Sequence, residues 1–90
     1  MPRESNVNGS LFLCLGEAIS LRRKRLGMSQ EELADNAGVD RSFISSIERG
    51  KRNPSFGLVA RIASGLKMRF ARLVENCERC LRKGEERPGA

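Results

Sequence analysis

The sequence predicts an all-α fold, and three observations carry that prediction. Leu, Arg, Glu and Ala are abundant while β-branched residues never run together, aromatics make up only 4% of the chain, and apolar residues recur at helical spacing. Ninety residues suffice for one small hydrophobic core. The expected layout is an N-terminal arm over 1–10, a body of four to five helices over 11–81, and a frayed tail over 82–90.

The arm is expected because residues 1–10 carry Pro2, Asn6, Asn8 and Gly9 and almost nothing apolar to offset their ordering entropy. A first helix follows from about Leu11. Phe12, Leu15, Ile19 and Leu26 recur along one face, Arg22 to Arg25 suit the negative end of the helix dipole, and Gly27 is the stop. Ser29 stands three residues before Glu32, the spacing of a capping box, so a second helix opens there with Leu33, Ala34 and Ala37 inward. Gly38 ends it in a left-handed turn, Val39 tucks in, and Asp40 caps a third helix at once.

The third helix, about Arg41 to Arg49, has Phe43, Ile44 and Ile47 on its inner side and small, polar or basic residues on its outer side. Gly50 closes it. A basic loop from Gly50 to Pro54 leads to Ser55, which caps a fourth helix bearing Leu58, Ile62 and Leu66. From about Phe70 a fifth helix aligns Phe70, Leu73, Val74, Cys77 and Leu81. Either this stripe is a dimer seam or it covers the monomer core; the pattern fits both.

A net charge of +6 favours a polyanionic partner. Nucleic acid suits it better than a membrane, because the apolar stripes are narrow enough to pair with one another. The apolar run Leu11 to Leu15 is too short for a signal peptide, and an odd cysteine count without a membrane-spanning stretch points to a reducing cytoplasm. Cys77 and Cys80 form a Cys-x-x-Cys, but with no histidine in the chain and no βαβ pattern they are expected, with Cys14, to be core or interface thiols. No metal, cofactor or catalytic residue is expected, since no nucleophile has an identifiable base and no glycine-rich phosphate loop occurs.

Two short helices joined through Ala37-Gly38-Val39, the second polar and basic outside, match the helix-turn-helix plan. The same spacing also suits an ordinary helical bundle with a solvated basic face. The residues add more. Leu15-Gly16-Glu17 through Arg22-Arg23, Met28-Ser29-Gln30-Glu31-Glu32-Leu33-Ala34, Ala37-Gly38-Val39, Ile44 through Ser55 and Ile62-Ala63 closely resemble the Xre/Cro/CI-type helix-turn-helix family of phage and bacterial repressors. The resemblance covers about Leu15 to Leu66. It implies a lambda-repressor-like domain that binds operator DNA as a two-fold dimer, without catalysis. Among short members, the segment Asp40 to Ser46 followed by Glu48-Arg49-Gly50 is most similar to controller proteins of restriction-modification systems, with small phage repressors and antitoxin-like interaction modules as the alternatives.

The resemblance also assigns roles. Gln30 corresponds to a glutamine that bonds a phosphate, and Arg41, Ser42 and Ser46 fall where family members contact base edges. Arg41 suits guanine O6 and N7, although a phosphate contact fits it equally. Ser45, Arg49, Lys51, Arg52 and Asn53 fall where the family grips the DNA backbone. Arg23 and Glu48 match positions that pair across the first and third helices. The implied partners are double-stranded DNA and a second copy of the chain, with RNA polymerase a candidate. At Lys67, Met68 and Arg69 the chain departs from the family, which usually places a small capping residue there.

Overall fold

A computed structural model describes residues 2–86, with side-chain surroundings for 9–84. Five helices follow one another: α1 (Pro2–Arg25), α2 (Gln30–Ala37), α3 (Arg41–Glu48), α4 (Phe56–Gly65) and α5 (Phe70–Glu86). Among the described residues there is no strand.

Local capping fixes most boundaries. Ser29 Oγ accepts the Glu32 N–H at 3.0 Å and Glu32 Oε1 accepts the Ser29 N–H at 2.8 Å, so the capping box is complete. Ser55 Oγ accepts the Leu58 N–H at the head of α4. Gly38 lies in the left-handed region at φ 74°, which turns α2 into α3 within three residues. Asp40 caps α3 differently from expectation: its backbone is extended and its carbonyl accepts the Phe43 and Ile44 amides, but its side chain makes no capping bond.

Two helix ends are closed by arginines that local sequence does not mark. Arg61 Nε and Nη2 both donate to the Ala37 carbonyl, at 3.1 and 3.0 Å, and Nη2 also reaches Gly38. Arg22 donates to the Leu66 and Lys67 carbonyls just past α4. Each places a cation at the negative end of a helix. Lys67 itself takes φ 56°, a conformation that glycine or asparagine usually supplies, and this is how the chain turns without a small residue between α4 and α5.

The core draws on every helix. Ile19, Leu33, Ile44, Ile47, Ile62, Leu66 and Leu73 are fully buried, each contributing roughly 1.5–3 kcal/mol by leaving water. The helix-turn-helix pair packs on α1 through α3 and on α4 through α2, while α5 packs on α1 and α4. α5 runs antiparallel to α1, so Arg22 meets the turn leading into α5 whereas Cys14 meets Cys80 well along it.

Three expectations change. Helix α1 already runs from Pro2 and not from Leu11, so most of the stretch read as an arm is helix; extending an existing helix adds a bond per residue without a new nucleus. Met1 lies outside the described residues. Likewise α5 runs past Arg82 to Glu86, and the remainder of the expected tail, 87–90, lies outside them.

The third change concerns the thiols. Cys14 and Cys80, with Cα atoms 5.7 Å apart, form a disulfide between α1 and α5. The expectation of three reduced thiols fails because antiparallel packing brings together positions 66 apart. Cys80 is therefore bonded to Cys14 and not to its near neighbour Cys77, which remains a buried free thiol whose titration is pushed up, first by burial and then by nearby Glu78. Cross-linking a span of this length should stabilise the fold by about 4 kcal/mol through the unfolded chain. Urea unfolding with and without a phosphine reductant is expected to differ by that order; identical midpoints would mean the cross-link contributes nothing.

Candidate nucleic-acid interface

Helix α3 is positioned by α1. A Cβ added at Gly16 would meet the carbonyl oxygens of Ile47 and Glu48, the latter at 2.6 Å, so α1 crosses the last turn of α3 at backbone contact. Seven residues farther along α1, Arg23 meets the Glu48 carboxylate with a two-pronged grip: Nε to Oε2 at 2.6 Å and Nη2 to Oε1 at 2.9 Å. Arg23 Nη1 also bonds the Met28 carbonyl, tying in the turn before α2. Both side chains are nearly withdrawn from water, at 11% and 7% exposure. The hydrogen bond with Glu48 pushes the Arg23 pKa up, against the lowering effect of burial, with Glu48's charge adding to the rise.

Gln30 joins this clamp, donating through Nε2 to Glu48 Oε1 at 2.9 Å. Its amide therefore points back into the protein with one N–H bonded to Glu48 at the head of α2. Sequence reasoning saw Gln30 and the Arg23–Glu48 pair as separate features, although they form one network.

The outer face of α3 is arranged as its spacing predicts. Arg41, Ser42 and Arg49 are exposed and Ser45 and Ser46 half-buried, while Ile44 and Ile47 face the core. Phe43 differs from expectation: it is half-buried at the edge of the helix, with the Arg52 guanidinium 4.6 Å from its ring centre. Lys51, Arg52 and Asn53 are all exposed in the loop after α3. Gly50, at φ 73°, starts that loop in the left-handed region that favours glycine, with Leu13 of α1 packed close beside it. The result is one continuous surface of α2 head, α3 outer face and basic loop, made of donors suited to phosphates and base edges.

Similarity to known proteins follows this geometry. A family model described as Helix-turn-helix matches residues 19–73. The chain belongs to the helix-turn-helix family. It is 37% identical over 59 residues to the control protein C.MunI of a Mycoplasma species, covering 66% of this chain and 80% of that protein. An uncharacterised helix-turn-helix-type transcriptional regulator of Methanothermobacter thermautotrophicus is 50% identical over 44 residues, 49% of this chain, and the match spans 64% of that relative's length. Among solved structures, the restriction-modification controller protein C.AhdI from Aeromonas hydrophila superposes with a TM-score of 0.67 at 34% identity, covering 69% of this chain and 94% of that one. The chain is thus an Xre-type helix-turn-helix transcriptional regulator related to controller proteins.

The stripe on α5 divides. Leu73, at 0% exposure, and Cys77 are buried in the chain's own core, so they are not free to form a seam with a second copy. Leu73→Asp would therefore attack the fold itself. Val74 is exposed and Phe70 and Leu81 half-buried. Phe56 of α4, 77% exposed, stands edge-on to Phe70 at 4.8 Å and extends the outward patch. The one-residue step from Leu73 to Val74 carries the chain from core to surface, a distinction that a stripe of mixed positions hides.

Glu48→Ala leaves Arg23 with no carboxylate in a nearly dry site and is expected to cost about 3–5 kcal/mol. Replacing both partners with apolar residues should cost clearly less than the two single changes summed. Urea unfolding of the single and double variants checks this, and strict additivity would show that the pair is not coupled.

Proposed function

We propose that this regulator binds double-stranded DNA sequence-specifically as a homodimer on a pseudo-palindromic operator, acting in the cytoplasm as a controller protein of the restriction-modification kind. The observation that carries the reading is the outward face of α3, where Arg41, Ser42 and Ser46 stand together on a helix clamped by Arg23 and Glu48. In this reading the recognition helix enters the major groove, with Arg41 donating to a guanine edge. Gln30, Ser45, Arg49, Lys51, Arg52 and Asn53 hold the flanking phosphates. The resemblance to C.MunI and C.AhdI favours a controller over a phage repressor or antitoxin-like module.

In this reading the second copy sits on exposed Phe56 and Val74, with half-buried Phe70 and Leu81 beside them. A half-site gripped by one chain is held weakly, and joining two chains makes the second contact intramolecular.

Selection from random duplexes should return a pseudo-palindrome with half-sites roughly 10 bp apart. On that site Arg41→Ala is expected to lose about 1–3 kcal/mol and to relax preference at one base pair. Lys51→Ala should weaken selected and random DNA alike and reduce the salt slope by about one. Recovery of no preferred sequence would overturn the operator reading.

Val74→Asp places a carboxylate in the proposed seam without touching the core. The variant should keep its helical circular dichroism, sediment as a monomer and bind operator far more weakly at equal chain concentration. A Val74→Asp protein that stays dimeric would put the interface elsewhere.

A further inference from the structure

Beside the proposed DNA and dimer surfaces runs an open groove between α1 and α5, of about 1360 Å³, which shares only Leu81 with the dimer patch. Leu13 and Leu21 of α1, 60% and 59% exposed, line it together with Met68. Every charged side chain along it except Glu17 is a cation, Arg25, Arg69, Arg72, Arg79 and Lys83 among them. Among the described residues none of these five cations makes an ion pair, whereas Arg22, at one edge, is spent on the carbonyls past α4.

The helix registers turn most of this groove away from the other two surfaces. On α1, Gly16 and Arg23 face α3 while Leu21 lies about 140° around the helix from Gly16. On α5, Val74 and Arg72 flank the buried Leu73, each roughly 100° away on opposite sides. An occupant of the groove would thus lie mostly away from the outer face of α3 and from Val74, touching the dimer patch at Leu81 and the back of the basic loop where Leu13 meets Gly50.

We propose that the α1/α5 groove docks an acidic amphipathic helix of a partner protein. Charge complementarity selects the acid, because unpaired cations border the groove from Arg69 along α5 to Lys83 and at Arg25, the end of α1. The exposed leucines select an amphipathic protein segment over a nucleic acid: they offer apolar side chains a place to bury, and none of the residues lining the groove is aromatic, as stacked bases would require. The stretch from Ser10 to Arg25 is about 22 Å long and matches a helix of about four turns. The part of this inference that calls the groove separate rests on the operator and dimer reading, but binding to the groove does not.

The test uses a fluorescent synthetic helix of about 16 residues, with glutamates along its flanks and leucines along one face, and reads anisotropy on the full-length protein without DNA. Binding is expected, weakened roughly tenfold or more in Arg72→Glu/Arg79→Glu and in about 0.5 M salt. Leu21→Ser, which alters no charge, should weaken it as well, and the glutamine version of the peptide should not bind. The double variant should retain its helical circular dichroism and its affinity for duplex DNA. Absence of peptide binding, or equal binding by the double variant, overturns the proposal. Parallel loss of duplex affinity in the double variant overturns it too and makes the groove a nucleic-acid surface. Because the peptide is read without DNA, failure of the operator reading leaves this outcome independent.

Discussion

The contact on which the rest of the structure depends is the one between α1 and the last turn of α3 at Gly16. Only a residue without a side chain lets the two backbones come this close. That proximity brings Arg23 within direct reach of Glu48, and Glu48 in turn gathers Gln30 from the head of α2. A larger residue at Gly16 would lever α3 outward and strain all of these bonds together. The pitch of the reading helix is therefore decided on the side of the protein that faces away from its proposed ligand.

Basic residues in this chain do two different jobs. Arg22, Arg23 and Arg61 are committed to carbonyls or a carboxylate inside the fold, closing helix ends and clamping α3. Arg41, Arg49 and Lys51 stand exposed on the outer face of α3 and the loop after it. A net charge counted over the whole sequence merges these two groups. The surface that meets a polyanion is set by which cations remain after the fold has used its share.

What could be read in advance was what depends on near neighbours in sequence. The Ser29–Glu32 box, the Ser55 cap, the turn at Gly38 and the two faces of α3 all depend on residues within about one helical turn, and the structure has them where the spacing puts them. The resemblance added the Arg23–Glu48 pair, 25 positions apart, which periodicity could not supply. Distant events without such a guide were missed: the Cys14–Cys80 bond, the reach of Arg61 to Ala37, and Arg22 standing at the end of α4. Leu73 could be placed in either a seam or the core for a related reason, because a helical stripe shows which residues are apolar but not whether the facing element belongs to the same chain. Lys67 broke the expected capping chemistry and still made the turn, in a conformation that composition argues against.

The bond between Cys14 and Cys80 also changes how the molecule carries a mechanical load. Helices α2, α3 and α4 lie wholly within the covalent ring that it closes. Tension applied to the two arms outside the ring, before Cys14 and beyond Cys80, would pass from α1 to α5 through sulfur and bypass the peptide chain between them. The reading helix would keep its pitch while the ends of the protein were pulled. A cut in the loop at Lys51 would leave two pieces still joined, with α1 through α3 on one and α4 and α5 on the other.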